Sequence, residues 1–274
     1  MMQTSERKKT KKSRVIPLWL RVWNVLIVGL LVLPILVVIP ISFTSERNFS
    51  FPPTGFSTQW YENFFMSPKW LDSLFASLQI GFSSAILATL IGTLAAVALA
   101  KVSPKLSALF SGMFMAPMIV PGVIFAVAIY AVFLEWQLIG DTVGFIAAHT
   151  VLALPFVLTS VSSSLSGFNT GLATAAASLG AHPVKAFLTV TLPLILPGVV
   201  SGFVLAFVTS FDESVVALFL QSPELKTLPA NMYDAIATEI DPTVAAASTL
   251  VLVATTIAVV LAQVVPARKK NKKR

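Results

Sequence analysis

AAASLGAHPVKAFLTVTLPLILP, residues 175–197, is a polar, turn-containing stretch set between long apolar runs. Such a segment cannot span a bilayer, where every backbone polar group needs an internal partner. It is expected at the membrane surface, where two short helices around a glycine offer a soluble partner something to hold. Residues 171–179 are rich in Ala and Leu and favour a helix, and Asn169 or Thr170 is placed to cap it. Gly180 stands where a left-handed C-terminal residue is wanted. Pro183 suits the first turn of a second short helix presenting Phe187. Pro193 and Pro197 mark the expected junction with the next apolar run. Phe187 and the alanine face form an apolar knob on one reading; on the other the segment is an ordinary amphipathic surface helix.

Composition places this stretch in a membrane protein. Of 274 residues, 56% are hydrophobic and 11% charged, against roughly 25% charged in soluble domains. Mean hydropathy is +0.85. There is no cysteine, so disulfides and thiolate metal sites are excluded, and the two histidines, His149 and His182, are too far apart in sequence to suggest a ligand cluster. Neither a metal nor a cofactor is implied. The net charge of +7 does not indicate nucleic acid, because the bases crowd into short runs at 7–14 and 268–274 with no folded basic domain behind them. Beside apolar segments, such runs set topology and attract anionic lipid headgroups.

Apolar runs at about 16–43, 73–100, 106–134, 142–165, 194–220 and 243–265 predict an all-α integral membrane protein with six spanning helices. The first run is too long for a signal-peptide core and lacks a small-residue cleavage site, so it reads as a retained helix. The expected organisation is a basic tail at 1–15, a six-helix membrane domain at 16–265 and a second basic tail at 266–274. Six spans put both termini on one side. That side also holds Arg21, Lys101, Lys105 and Lys185. The opposite loops hold only Arg47, Lys69 and Lys226, with Glu46, Glu62, Asp72, Glu135, Asp141, Glu224, Asp234, Glu239 and Asp241. The positive-inside rule then makes both termini, and the 175–197 loop, cytoplasmic.

Small residues at four-residue spacing predict close helix packing: Ser84, Ala88, Gly92, Ala96 and Ala100 in the second span, and Gly198, Gly202, Ala206 and Ser210 in the fifth. Pro117, Pro121 and Gly122 predict a kink or break in the third, lining a cavity or simply packing. Trp60, Tyr61, Phe64, Phe65 and Trp70, in the loop 44–72, read as an interfacial belt with a short flat helix or as a docking surface.

The loop residues closely resemble the cytoplasmic "EAA" loop of permease subunits in binding-protein-dependent ABC importers. Ala175, Ala176, Leu179, Gly180, Ala181, Phe187, Leu192, Pro193 and Pro197 match that pattern, and His182 and Pro183 complete the turn. Thr174 departs from it, standing where the family usually has Glu. Further runs look like the spermidine/putrescine-type branch: Ser210-Phe211-Asp212-Glu213, Thr227-Leu228-Pro229 with Met232, and Asp241-Pro242-Thr243. The resemblance implies a coupling helix-turn-helix between spans four and five and a subunit that is not itself an enzyme. The implied partners are a dimer of ATP-binding subunits, a second permease subunit and an extracytoplasmic substrate-binding protein, with a small cationic cargo such as a polyamine. The implied location is a bacterial inner membrane. The chain has no phosphate-binding G-x-x-x-x-G-K-[ST] loop, in keeping with ATP hydrolysis on a partner.

Asp212 and Glu213 lie inside the fifth apolar run. A carboxylate there costs roughly 2.5 kcal/mol or more unless it meets water or a partner. They read either as lining a pathway for a cation or as capping a restarted helix, given the spacing Ser210-x-x-Glu213. Successive residues point about 100° apart, so one acid alone can face a pathway. Two other functions compete with this reading. A stand-alone secondary transporter or channel for a small amine would want acids or broken helices in both halves. A membrane enzyme would need an acid to orient His149 beside Thr150; a lone membrane histidine is more often packed or hydrogen-bonded.

Overall fold

The computed structural model describes residues 17–167 and 171–271, with side chains except at 173, 174, 177 and 258–271. The expected N-terminal tail and the caps Asn169 and Thr170 lie outside the described residues. The described residues form two compact units, those within 1–62 together with those from 242 onward, and those within 63–241.

In the first unit, α1 (Leu18–Ile41) is apolar apart from Arg21 and Asn24 near its start and has no buried residue, and it contacts the last helix, Thr243–Asn271. That last helix continues through Asn271, into the segment expected as a tail. The loop after α1 is folded by its own polar contacts. Trp60 Nε1 donates to the Thr44 carbonyl at 2.7 Å, the Ser42 and Tyr61 hydroxyls meet at 2.6 Å, and the Ser57 amide donates to Phe43 O at 2.7 Å. A short helix, α2 (Gln59–Met66), closes it. The belt expectation needs correcting here. Trp60, Phe64 and Trp70 are buried, Tyr61 is half-buried and Phe65 is exposed. A tryptophan takes an interior place when its N–H finds an acceptor, and Thr44 O supplies one.

The second unit is built on three long helices: α3 (Pro68–Leu99), α6 (Thr142–Ser166) and α9 (Leu192–Phe211). All three pack together. Lipid offers no hydrophobic force between helices, so close packing and interhelical hydrogen bonds must hold them. Ser84, Ala88, Gly92 and Ala96 on α3 are buried, as are Gly198, Gly202, Ala206 and Ser210 on α9; Ala100, past the end of α3, is not. A Cβ at Gly92 would stand 2.8 Å from Val157 Cγ1, and one at Gly202 3.1 Å from Val157 Cα, both on α6. Ser160 Oγ donates to Gly198 O at 2.9 Å and Ser84 Oγ to Ile146 O at 3.2 Å. Such bonds average about 0.6 kcal/mol each.

The third apolar run is two helices, α4 (Pro104–Ile119) and α5 (Gly122–Glu135), bent by 100°. Pro117 sits inside α4 without breaking it; the break is at Val120–Pro121. A residue before proline is pushed out of the helical region, and Val120 is extended at ψ 131°. Among the described residues, four helices are long and apolar enough to cross a bilayer, five if the bent pair is one span. The sixth expected run is helical as the start of Thr243–Asn271 and apolar over Thr243–Ile257.

Loops expected on the acidic side do gather at one end of this unit. Lys69 meets Glu239 at 3.9 Å, Lys226 meets Asp234 at 2.6 Å, and the Gly140 amide donates to Leu220 O at 2.8 Å. A short helix spanning Leu228–Thr238 is tied to α3 there: Ser77 Oγ accepts the Leu228 amide at 2.7 Å, and buried Asn231 donates to Ser73 Oγ at 3.3 Å.

Candidate functional site

The surface loop begins with α7 (Gly171–Ser178) and turns sharply. The Leu179 amide returns to Ala175 O and the Ala181 amide to Ala176 O, both at 3.1 Å. The second is the six-to-one closure typical of a helix ended by a left-handed residue. Gly180 is that residue, with φ +85°. Among the described residues a Cβ there would meet nothing within 4 Å, so glycine is favoured by backbone conformation and not by space. His182 precedes the next helix, α8 (Pro183–Ala186), with Pro183 in its first turn.

The predicted loop residues Ala175, Ala176, Leu179, Gly180, Ala181, His182 and Pro183 therefore share one tight hairpin. Its protruding apolar group is Leu179, 89% exposed, with Val184 beside it; Phe187 is half-buried one turn further on. The Thr174 side chain lies outside the described residues.

The junction differs from expectation. No turn separates α8 from the following span. A single π-helical turn, Phe187–Thr191, joins α8 to α9, and Pro183–Phe211 forms one span of 29 residues. The Leu192 amide reaches back five residues to Phe187 O. The wider turn sits directly ahead of Pro193, whose ring clashes with an ordinary i−4 carbonyl. Proline here reshapes the helix without ending it.

At the other end of that span the helix breaks. α9 stops at Phe211, residues 212–214 are irregular, and α10 (Val215–Leu220) restarts. The two acids part company. Glu213, half-buried, accepts the Val216 amide at 2.9 Å and caps α10. Asp212 is exposed and accepts no side-chain hydrogen bond among the described residues; its own amide donates to Val208 O. The spacing Ser210-x-x-Glu213 is not used as a reciprocal box, because Ser210 turns to His149 on α6. Glu213→Ala is expected to lower stability by about 1 kcal/mol, as loss of a cap does, whereas Glu213→Gln keeps the acceptor. Thermal unfolding of the purified assembly measures both, and equal melting of the Ala variant and the parent would contradict the capping role.

For His149 sequence reasoning favoured a packed or hydrogen-bonded place but gave no partner. It is 1% exposed, with Nδ1 2.8 Å from Ser210 Oγ and 3.1 Å from Ser210 O. The only sequence signal was a lone imidazole in an apolar run; its partner lies 61 residues away. A separate polar cleft of about 190 Å³ lies at the acidic end of the unit, lined by Lys69, Asp72, Ser73, Glu224, Lys226 and Asn231 among others.

Comparison with known proteins bears on this arrangement. The family model described as "Binding-protein-dependent transport system inner membrane component" matches residues 88–271. The chain is 33% identical over 244 residues to the spermidine/putrescine transport system permease protein PotC of Haemophilus influenzae, covering 88% of this chain and 93% of that protein. It is 34% identical over 245 residues to the protein of the same name from Escherichia coli K12, covering 88% and 91%. Among solved structures it resembles a chain of a bacterial ABC transporter involved in the import of the acidic polysaccharide alginate (TM-score 0.68, 13% identity, 93% and 97% covered). It also resembles a chain of an amino acid ABC transporter (TM-score 0.55, 14% identity, 74% and 96% covered). At such identities the structural likeness speaks for the fold alone.

Proposed function

Because the chain belongs to the family of binding-protein-dependent transport system inner membrane components, we propose that its surface hairpin and its broken helix are the two ends of one coupling device. The chain is a permease subunit of an ABC-type importer. In our reading it shares a translocation pathway with a second permease subunit. ATP is hydrolysed by a separate pair of subunits that grip the hairpin at 171–187, and an extracytoplasmic binding protein delivers the cargo. The stand-alone carrier reading has no comparable support.

The observation that carries the coupling role is the continuous helix from Pro183 to Phe211. At 1.5 Å per residue, its 29 residues reach about 43 Å. A displacement imposed at Leu179 and Pro183 is carried along this rod to the break at 212–214. ATPase closure then biases a two-state bundle, the nucleotide acting only through its different grip on the two states. The family's description as an inner membrane component supports a bacterial cytoplasmic membrane location, and the charge asymmetry of the loops supports both termini and the hairpin inside.

The cargo we propose is a small polyamine-type cation. Relatives named for spermidine/putrescine align over about nine-tenths of this chain, and an uncompensated carboxylate stands at the helix break. A negative side chain facing a pathway lowers the barrier to a cation and repels an anion. Asp212→Asn is expected to slow polyamine uptake roughly tenfold, the effect of about 1.4 kcal/mol of lost attraction, with the complex still assembled. The measurement is uptake of labelled spermidine by cells lacking their own polyamine import and supplied with this chain and its partner subunits. Purification of the chain from those cells reports whether an ATP-hydrolysing subunit accompanies it. A complete system that takes up no polyamine defeats the cargo assignment, and a chain that transports without an ATPase defeats the coupling role.

A further inference from the structure

We propose that His149 is the positioning residue of the broken-helix site: its Nδ1 replaces the backbone donor that the break removes from Ser210, and so fixes where Asp212 and Glu213 stand. In an uninterrupted helix the Ser210 carbonyl would accept the amide of Ser214, four residues on. Here α9 ends at Phe211, the Asp212 amide closes the last turn on Val208 O, and the next such amide bond runs from Leu218 to Ser214 O. The carbonyl of Ser210 is left open within the bundle, where an unsatisfied acceptor costs about 1–3 kcal/mol.

The imidazole of His149 fills that place from a neighbouring helix. Both Ser210 oxygens converge on Nδ1, O at 3.1 Å and Oγ at 2.8 Å. A neutral imidazole carries one N–H. With the proton on Nδ1, the ring donates to the freed carbonyl and shares that hydrogen with the hydroxyl oxygen. The other tautomer would leave both the carbonyl and a buried Nε2–H unpaired, and orphaned N–H groups are the rarer defect. Among the described residues Nε2 makes no hydrogen bond, and Nδ1 is the ring's polar anchor there. Packing holds it in place: Phe145, one turn back on α6, lies 5.9 Å away between ring centroids, and Ser210 is buried as well. The bond pins the last turn of α9 to α6 two residues before Asp212. From that fixed point the chain leaves the helix, presents Asp212 and lets Glu213 cap α10. This inference rests on the pathway reading of Asp212 only for its effect on transport; the positioning itself is a statement about geometry.

The test uses the assembled transporter in membrane vesicles and two readouts. The chain has no native cysteine, so Asp212→Cys gives one reactive site in this subunit, and its rate of modification by a membrane-impermeant cationic methanethiosulfonate reports its position. Import is measured separately with Asp212 intact. His149→Leu is expected to change the modification rate at position 212, and to slow import, by about tenfold, the consequence of one orphaned buried acceptor. His149→Asn is expected to restore both, because its side-chain amide lies at the depth of Nδ1. His149→Gln is not, because its amide lies at the depth of Nε2. Unchanged modification in the Leu variant overturns the proposal. So does equal behaviour of the Asn and Gln variants, whether both work or both fail; that comparison stands even if the Leu variant does not assemble. Altered modification with normal import upholds the positioning and defeats the pathway role of Asp212 instead.

Discussion

Gly180→Val is expected to cut energised import roughly tenfold or more while leaving the transporter assembled. Gly180 holds φ +85° at the apex of the hairpin. The left-handed region costs an L-residue roughly 1–2 kcal/mol, and a β-branched side chain is a genuine outlier there. Among the described residues no neighbour lies within 4 Å of a Cβ at this position, so the substitution acts on backbone conformation. The chain relieves the strain by leaving the turn. The bond from Ala181 N to Ala176 O then opens, and Leu179 no longer stands in register with Pro183. Asn tolerates this conformation, so Gly180→Asn should retain most activity, with Gly180→Ala between the two. Import into vesicles and the ATP hydrolysis stimulated by the loaded binding protein measure the effect; a fall of roughly tenfold or more is expected for Val. Wild-type import by the Val variant would remove the hairpin from the coupling mechanism.

Gly198→Leu should have the largest effect on the fold. A Cβ at Gly198 would stand 2.8 Å from the Ser160 carbonyl oxygen and collide with the Ser164 hydroxyl. The rest of a leucine has no room between α9 and α6. Separating the helices also breaks the bond from Ser160 Oγ to Gly198 O. Overpacking costs typically about 1–3 kcal/mol, and a backbone contact cannot rotate aside as a flexible side chain can. The variant should melt well below the parent or fail to assemble. Gly112→Leu is the control, since no atom lies within 4 Å of a Cβ there. Equal stability of the two variants would show that this contact does not hold the bundle together.

Much of the fold was legible because it depends on what each residue does locally. Long apolar runs report their own transfer energy, so the main helices were visible. Gly180 and Pro183 carry their backbone preferences with them, and the turn appears where those preferences predict it. The small-residue stripes from Ser84 to Ala96 and from Gly198 to Ser210 marked the faces that pack. Prolines were read less well. Pro121 breaks its helix through the conformation of Val120, yet Pro117 does not, and Pro193 is absorbed by a π-helical turn. Each outcome depends on whether the surrounding backbone can shift its hydrogen-bond register. The aromatic loop was misread because the Thr44 carbonyl that draws Trp60 inward has no sequence signature.

The acids show the same boundary at the candidate site. Residue type alone announced that Asp212 and Glu213 were costly where they lie, but not which would cap and which would stay free. That division follows from the position of the break relative to Val216. The break in turn is held by a histidine on a helix 61 residues away. The amino-acid sequence by itself determined the membrane class, the helical runs and the shape of the hairpin, because these arise from transfer energies and φ preferences that each residue brings with it. Only the tertiary structure decided that hairpin and span are one rod, and that His149 meets Ser210. A hydrogen bond between helices requires both partners' coordinates at once, and no single stretch of chain contains them.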